Sequence, residues 1–420
     1  MDIRKQIDKF CTRQLPRLEN LHDYYLGKHR ILRVQKADNK PNNRLVTNYA
    51  RDIVLNTTGY FMGNPVVYEC EDESLKQDIT DITAYNDDDA HNFSLSLDIS
   101  TYGLAYELIY FDSDKKIRYA KLSPLNTFIS YNNDIERTIN YAVYFYDIED
   151  EETEKVTRYA NVYDDKCITA YRIDTVCTLL SKEPHYCGQV PVNIYVNNEY
   201  KQGDFEPVIT LIDAYNTMQS ESVNDFQAFA DAYLHLRGAK INEEDAEEIR
   251  EKRIIETDEN GEINWVVKNV PDGYIENIKN RLNKDIYTTS QTINFADENF
   301  NNNDSGRALK HKLLQFENRV ANTQRYYEKS LARRWEIICD MLNLLGRNYD
   351  FTSIKFVFNR NLPADLTEIS TMIAQLTGVV SKRTLLAQLP FVSDVDAELE
   401  ELKKESPETE LFNGEGVSYE

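Results

Sequence analysis

Asn299-Phe-Asn-Asn-Asn-Asp-Ser-Gly-Arg-Ala-Leu309 runs straight into a stretch, Arg307 to Leu345, that contains neither Gly nor Pro. Within that stretch Leu309, Leu313, Phe316, Val320, Tyr327, Leu331, Trp335, Ile338, Leu342 and Leu345 recur at steps of three, four or seven residues. That spacing is one apolar stripe of an α-helix. At 1.5 Å per residue the helix is roughly 58 Å long, about three times the usual length in a globular domain. A rod this long with a polar loop at its head suits lining or crossing an assembly better than filling a small core.

Outward from this rod the chain alternates in texture. Ile3, Ile7, Phe10, Leu15, Leu18, Leu21 and Tyr25 mark a first helix stopped by Gly27, and a basic, Asn-containing loop follows from Lys28 to Arg44. A second helix carries Leu45, Tyr49, Ile53, Thr57 and Tyr60, and a third follows Asn86-Asp-Asp-Asp89 and ends at Gly103. From Leu104 to Val196 short β-rich runs alternate with turns: 105–111, 117–122, 141–146, 157–163, 167–173 and 192–196. This predicts antiparallel sheets within an α+β module. After Pro207 a helical stripe of Val208, Leu211, Tyr215, Met218, Ser222, Phe226, Phe229, Tyr233 and Leu236 runs to Gly238. An insert follows, with a hairpin expected to turn on Asn260-Gly261 between strands 254–256 and 263–267. Another helix, through Ile275, Ile278, Leu282 and Ile286, leads back to the Asn-rich loop. Beyond the rod come a strand at 353–358, helices at 364–376 and 382–389, the second capped by Ser381, and an acidic tail from Asp394 with a frayed end.

The 420 residues carry 48 Lys and Arg against 71 Asp and Glu, a net charge of −23. Such a surface does not bind a DNA backbone by counterion release, which needs clustered cations. The six Cys are scattered without a C-x-x-C pair, which reads as reduced thiols. No signal peptide opens the chain, and no apolar run is long enough to span a membrane. Asn86-Asp-Asp-Asp89 offers carboxylates for a metal, but nothing stands at calcium-loop or nuclease spacing. The reading taken is an N-cap with acids placed for the helix dipole. His185 and Cys187 invite a thiol-and-base reading, but near neighbours in sequence seldom reach nucleophilic geometry. Phosphate-loop, dinucleotide and nucleophile-elbow motifs are all missing. No catalytic residue, cofactor or metal ligand is therefore assigned.

Several local motifs, taken in order, resemble the portal proteins of tailed bacteriophages, of the type found in long-tailed phages and prophages of Gram-positive bacteria. They are Tyr25-Leu-Gly-Lys-His-Arg-Ile31, Asn42-Asn-Arg44, Asn48-Tyr49 with Ile53-Val54, and Tyr60-Phe-Met-Gly-Asn-Pro65. Further along are Gly103-Leu-Ala-Tyr106, Ile212-Asp-Ala-Tyr-Asn216, Ser305-Gly-Arg-Ala-Leu309, and Gly378-Val-Val-Ser-Lys-Arg-Thr-Leu-Leu386 with Leu389-Pro390. The resemblance implies an α+β portal fold assembled as a ring, usually of twelve copies, at one capsid vertex, with double-stranded DNA passing through its axis. It implies an α/β wing at 1–203, a first stem helix at 204–237, a small α/β clip at 238–272 and a second stem helix at 273–294. A tunnel loop follows at 295–305, then a long kinked wing helix and strand at 306–360, a helical crown at 361–405 and an acidic tail at 406–420.

The resemblance also implies roles. Asn299, Asn301, Asn302, Asn303 and Asp304 fall in the tunnel loop facing DNA, although spacing alone fits a solvated cap on the long helix equally well. Lys279, Arg281 and Lys284 on the second stem helix supply either channel cations or ordinary surface ion pairs. Glu243, Glu244, Glu247, Asn260, Gly261 and Trp265 belong to the clip, which docks the terminase large subunit and later the head-tail adaptor. Further implied partners are the major capsid and scaffolding proteins, with the virion as the location and the host cytoplasm during assembly. An acidic channel would repel phosphates and so avoid sticky binding. Two alternatives stay open: a portal-like component of a domesticated prophage particle, and a metal-dependent DNA-processing enzyme using the acidic loops.

Overall fold

The computed structural model describes residues 2–37, 41–149, 154–230, 233–237, 262–266, 272–294, 306–361, 366–389, 392 and 395–405. The chain divides into two compact units, 1–296 with 313–361, and 297–312 with 362–420. The larger unit opens with helices α1 (Ile3–Arg13) and α2 (Leu15–Tyr25). The sequence stripe reads them as one helix, but Pro16 lies in the first turn of α2. Proline has no N–H to continue the ladder and clashes with the preceding turn, so the chain restarts there. Helix α3 (Tyr49–Met62) is capped by the Asn48 side chain. Helix α4 (Glu73–Tyr85), capped by Asp72, has no counterpart in the sequence reading, although Leu75, Ile79 and Ile82 stand at helical spacing. Helix α5 (Asp88–Tyr102) follows.

Two antiparallel sheets come next. The strands are β1 (Val67–Glu69), β2 (Leu104–Phe111), β3 (Ile117–Leu122), β4 (Thr127–Tyr131), β5 (Ile139–Glu149), β6 (Val156–Tyr163), β7 (Cys167–Ile173), β8 (Cys177–Pro184) and β9 (Val192–Val196). β2 sits between β3 and β9, and β4 to β8 form a five-stranded meander in chain order. The short β1 pairs antiparallel with Lys355–Val357, within the larger unit. α1, α2 and α3 bury Ile3, Ile7, Phe10, Leu21 and Ile53 with Phe128, Val143, Phe145 and Val162 of the meander in one core. Phe10 stacks on Phe128 at 5.3 Å and meets Phe145 edge-on at 5.8 Å. Helix α5 ends at Gly103, whose φ of +81° is the left-handed cap an L side chain resists. A β-carbon there would also drive into the Lys201 backbone.

Helices α6 (Ile209–Ala230), α7 (Asp272–Ser290) and α8 (Gly306–Leu344) complete the long elements. The 39-residue α8 is continuous. Leu313, Phe316, Val320, Tyr327, Leu331, Trp335 and Ile338 of its predicted stripe are buried. The smaller unit contains helices α9 (Leu366–Leu376), α10 (Lys382–Leu386), capped by Ser381, and α11 (Val395–Glu405). The acidic segment is helical over Val395–Glu405, inside the span expected as a helical crown, and the end expected to fray lies outside the described residues. Its acids come early and Lys403 and Lys404 stand in the last turn, which suits the helix dipole. No helix among the described residues is long and apolar enough to cross a membrane.

Candidate functional site

The stripe read from sequence on α6 is not the buried one. The buried positions are Val208, Ile212, Asn216, Ser220 and Asn224, at steps of four, so the buried face turns polar after Ile212. Leu211, Tyr215, Met218 and Ser222 are only half-buried, and Phe226 is 77% exposed. The cause is the basic loop that precedes α3. Its second limb lies extended along α6 and feeds backbone N–H groups to the polar stripe. Thr47 N–H donates to Asn216 Oδ1 at 2.8 Å, Leu45 N–H to Ser220 Oγ at 2.9 Å, and Asn43 N–H to Asn224 Oδ1 at 2.7 Å. Four helical residues rise about 6 Å, and two extended residues span about 6.6 Å. A strand therefore stays in register with every fourth side chain of a helix over this length. Each bond also satisfies an amide that burial would otherwise orphan.

His29 locks the near end of this strap. Its Nε2 bonds the Tyr24 carbonyl at 3.0 Å, and its Nδ1 meets the Asn216 amide nitrogen at 2.8 Å. A carbonyl only accepts and an amide NH2 only donates, so the ring is the neutral Nε2–H tautomer. Burial lowers its pKa, in keeping with that form. Lys36 reaches Glu221 at 2.7 Å and holds the far end.

Helix α7 packs beside α6. Tyr49 meets Tyr215 and Tyr287 edge-on at 5.0 and 5.8 Å, and the Tyr287 hydroxyl donates to Asp52 at 2.7 Å. Of the three cations singled out on this helix, Lys279 pairs with Glu276 at 3.0 Å and Arg281 with Asp285 at 3.7 Å. Both pairs are local to the helix, which is the ordinary surface reading. Lys284 is exposed.

The segment expected as one helix over 204–237 stops at Ala230. Tyr233–Arg237 is a strand, paired antiparallel with Glu262–Val266 so that Leu234 stands opposite Trp265. Tyr233 and Leu236 therefore do not continue the helical stripe. The strand expected at 263–267 exists, but its partner among the described residues is Tyr233–Arg237. The second expected strand at 254–256, the Asn260-Gly261 turn, and Glu243, Glu244 and Glu247 lie outside the described residues. So do Asn299, Asn301, Asn302, Asn303 and Asp304.

The long helix is anchored at a place the sequence reading missed. Arg334 is fully buried. It bonds Asp88 Oδ1 at 2.9 Å, Glu107 at 2.7 Å and Asn92 Oδ1 at 2.8 Å. The Tyr119 and Tyr195 rings flank the guanidinium at 4.7 and 5.6 Å. Tyr68 and Tyr119 donate to Asp88, Tyr195 donates to Glu107, and His91 pairs with Glu107 at 2.7 Å. Burial works against the Glu107 carboxylate, but Arg334 and the His91 bond outweigh it and hold its pKa at about 2. This corrects the reading of the Asn86–Asp89 run as a cap. Asp87 occupies the cap position in a left-handed conformation without a side-chain cap bond, and Asp88 points inward to Arg334. The signal available in sequence was an Arg on a stripe next to Trp335, without its partners more than two hundred residues away.

The thiol-and-base suggestion is answered by geometry. The Cys187 thiol faces the His185 carbonyl rather than its ring, and burial pushes its pKa up to about 12. That is the opposite of an activated nucleophile. Among the described residues no group of three or more His, Cys, Asp or Glu could hold a metal ion.

The described residues define a mixed α+β protein whose two longest helices are tied, one by a strap and one by a buried arginine. A family model described as "Phage portal protein, SPP1 Gp6-like" matches residues 4–410, and the chain belongs to this family of phage portal proteins. It is similar to the portal protein of Bacillus phage SPP1, with 23% identity over 389 residues that cover 88% of this chain and 77% of that protein.

Proposed function

We propose that copies of this chain close into a ring at one vertex of a phage head, and that double-stranded DNA enters and leaves through its axis. The observation that carries the reading is the face of α6. Within one protomer the helix buries its polar stripe and leaves the apolar stripe from Leu211 to Phe226 half-covered or exposed. An apolar stripe that its own protomer covers only in part, ending in the exposed Phe226, favours association with a neighbour, and a head-to-tail contact whose rotation closes makes a ring. Membership in the portal family supports the rest of the reading. On this reading 1–203 is the wing, α6 and α7 are the stem and 361–405 is the crown. The strand pair Tyr233–Arg237 with Glu262–Val266 forms the base of a clip over 238–272. Clip residues Glu243, Glu244, Glu247, Asn260, Gly261 and Trp265 dock the terminase large subunit and then the head-tail adaptor. Asn299, Asn301, Asn302, Asn303 and Asp304 form the loop that surrounds DNA. The protein is a conduit, and the motor that hydrolyses nucleotide is a separate protein. The major capsid and scaffolding proteins surround it in the virion, after assembly in the host cytoplasm. Electron microscopy with light scattering tests this: rings with a central hole and a mass of about ten to thirteen protomers are expected of a closed cyclic assembly. A folded protein that stays monomeric at micromolar concentration refutes it.

A further inference from the structure

The loop that straps α6 has an outer face, and its chemistry is unlike the rest of the chain. Between residues 28 and 48 stand Lys28, Arg30, Arg33, Lys36, Lys40 and Arg44 against the single acid Asp38, in a protein of net charge −23. The two limbs of the loop are tied together: Arg44 donates to the Leu32 carbonyl at 2.7 Å, and the Asn42 amide to the Val34 carbonyl at 3.4 Å. Across this tied surface Leu32, Val34 and Leu45 are 39%, 41% and 36% exposed. An open cleft of about 450 Å³ lies between the loop and α6, lined by Arg30, Ile31, Arg33, Val34, Asp213 and Thr217.

We propose that this basic, aliphatic face of the strap is one half of the contact between neighbouring copies of the chain, and that it receives an acidic, apolar-bearing surface of the next copy. The inference rests on the ring reading above and says which surface makes the ring. A head-to-tail interface needs two different patches on each protomer. Here one patch is basic, and the complement, an acidic surface, is what the remainder of the chain presents. DNA fits the strap poorly. Arg33 already pairs with Asp23 at 2.8 Å, Lys36 with Glu221 and Arg44 with a carbonyl. The three aliphatic side chains between them gain nothing from a phosphate backbone but do gain from an apolar protein surface. The placement also has a mechanical sense, because the strap's inner edge holds the first stem helix. A neighbour seated on its outer edge would thus be coupled to that helix through three backbone hydrogen bonds.

The test compares wild type with Lys28→Glu/Arg30→Glu and with Leu32→Ser/Leu45→Ser, by sedimentation over protomer concentration and salt. Both exchanges sit on the outer face and spare the bonds to Asn216, Ser220 and Asn224. The expected result is wild-type rings that loosen as salt rises, and variants that melt like dilute wild type but whose half-assembly concentration rises about a hundredfold, since each 1.4 kcal/mol is tenfold and the first variant brings like charges together while the second removes apolar contact with the neighbour. Variants that form rings at wild-type concentrations overturn the proposal and leave the ring reading standing. Wild type that forms no rings at all overturns both. Against variants that fail to fold, wild-type rings built from a mixture of isotope-labelled and unlabelled chains are treated with a zero-length carboxyl–amine cross-linker. Mixed-label links from Lys28 or Lys36 to carboxylates support the contact, and rings that yield only same-copy links from these lysines overturn it.

Discussion

Arg334→Met removes the guanidinium that pairs with both Asp88 and Glu107, which lie within the protein at 7% and 0% exposure. Methionine fills most of the volume, so packing loss is small and the effect isolates the charge. Breaking a buried ion pair by deleting one partner typically costs about 3–5 kcal/mol, because the other charge stays buried and uncompensated. For a unit of roughly 350 residues, an unfolding entropy of about 2.1 cal/mol/K per residue gives about 0.7 kcal/mol/K. The melting temperature should therefore fall by about 4–7 °C at pH 7 and fixed protomer concentration. The pH dependence follows from Glu107, whose pKa of about 2 lies below its ordinary 4.5. A folded pKa depressed in this way gives stability that is fully present above pH 4.5 and lost as pH falls towards 2. The gap between wild type and variant should thus be widest above about pH 5 and shrink in acid. Combining Arg334→Met with Asp88→Asn and Glu107→Gln should recover most of the loss. A single variant that melts within 1 °C of wild type at pH 7, or a triple variant no better than the single, refutes the account of this anchor.

Asp98 is the opposite case: burial pushes its pKa up to about 6, against the pull of Lys121 at 3.0 Å. The folded state holds its proton more tightly than the unfolded chain, so this group costs stability as pH rises from about 4 to 6. Asp98→Asn should stabilise by up to about 3 kcal/mol at pH 8 and by little at pH 4, measured by denaturant melts. Ser220→Ala leaves the Leu45 amide without its acceptor and should cost about 1 kcal/mol; hydrogen exchange at Leu45 should quicken while exchange in α5 is unchanged. Changing Asn301, Asn302 and Asn303 to Lys should leave rings intact but shorten the packaged DNA, most at low salt, because added cations bind phosphates through counterion release. Full-length packaging at every ionic strength would remove that loop from the DNA path.

The long helix, the six β runs read between 104 and 196, the Ser381 cap and the restart of helix before residue 275 were legible in sequence. Each is a local, periodic signal, set by side chains within a few residues of one another. The family was legible as well, because eight short motifs in order survive where no single one is diagnostic. The buried face of α6 was not legible. Hydrophobic periodicity pointed to Leu211, Tyr215 and Met218, yet the protein buries Asn216, Ser220 and Asn224, because an extended loop segment about 170 residues earlier in the chain brings backbone donors that only polar side chains can satisfy. Arg334 was hidden for the same reason. A charge on an apolar stripe is unreadable until the fold delivers Asp88 and Glu107 to it from a helix and a strand far upstream. Tyr233 and Leu236 fit a helical stripe by spacing, and only pairing with Glu262–Val266 makes their segment a strand. Local spacing decides most of the elements; partners distant in sequence decide which face is buried, which charge is tolerated and, at Tyr233–Arg237, whether the segment is helix or strand, since these depend on hydrogen bonds and ion pairs that exist only once the chain is folded.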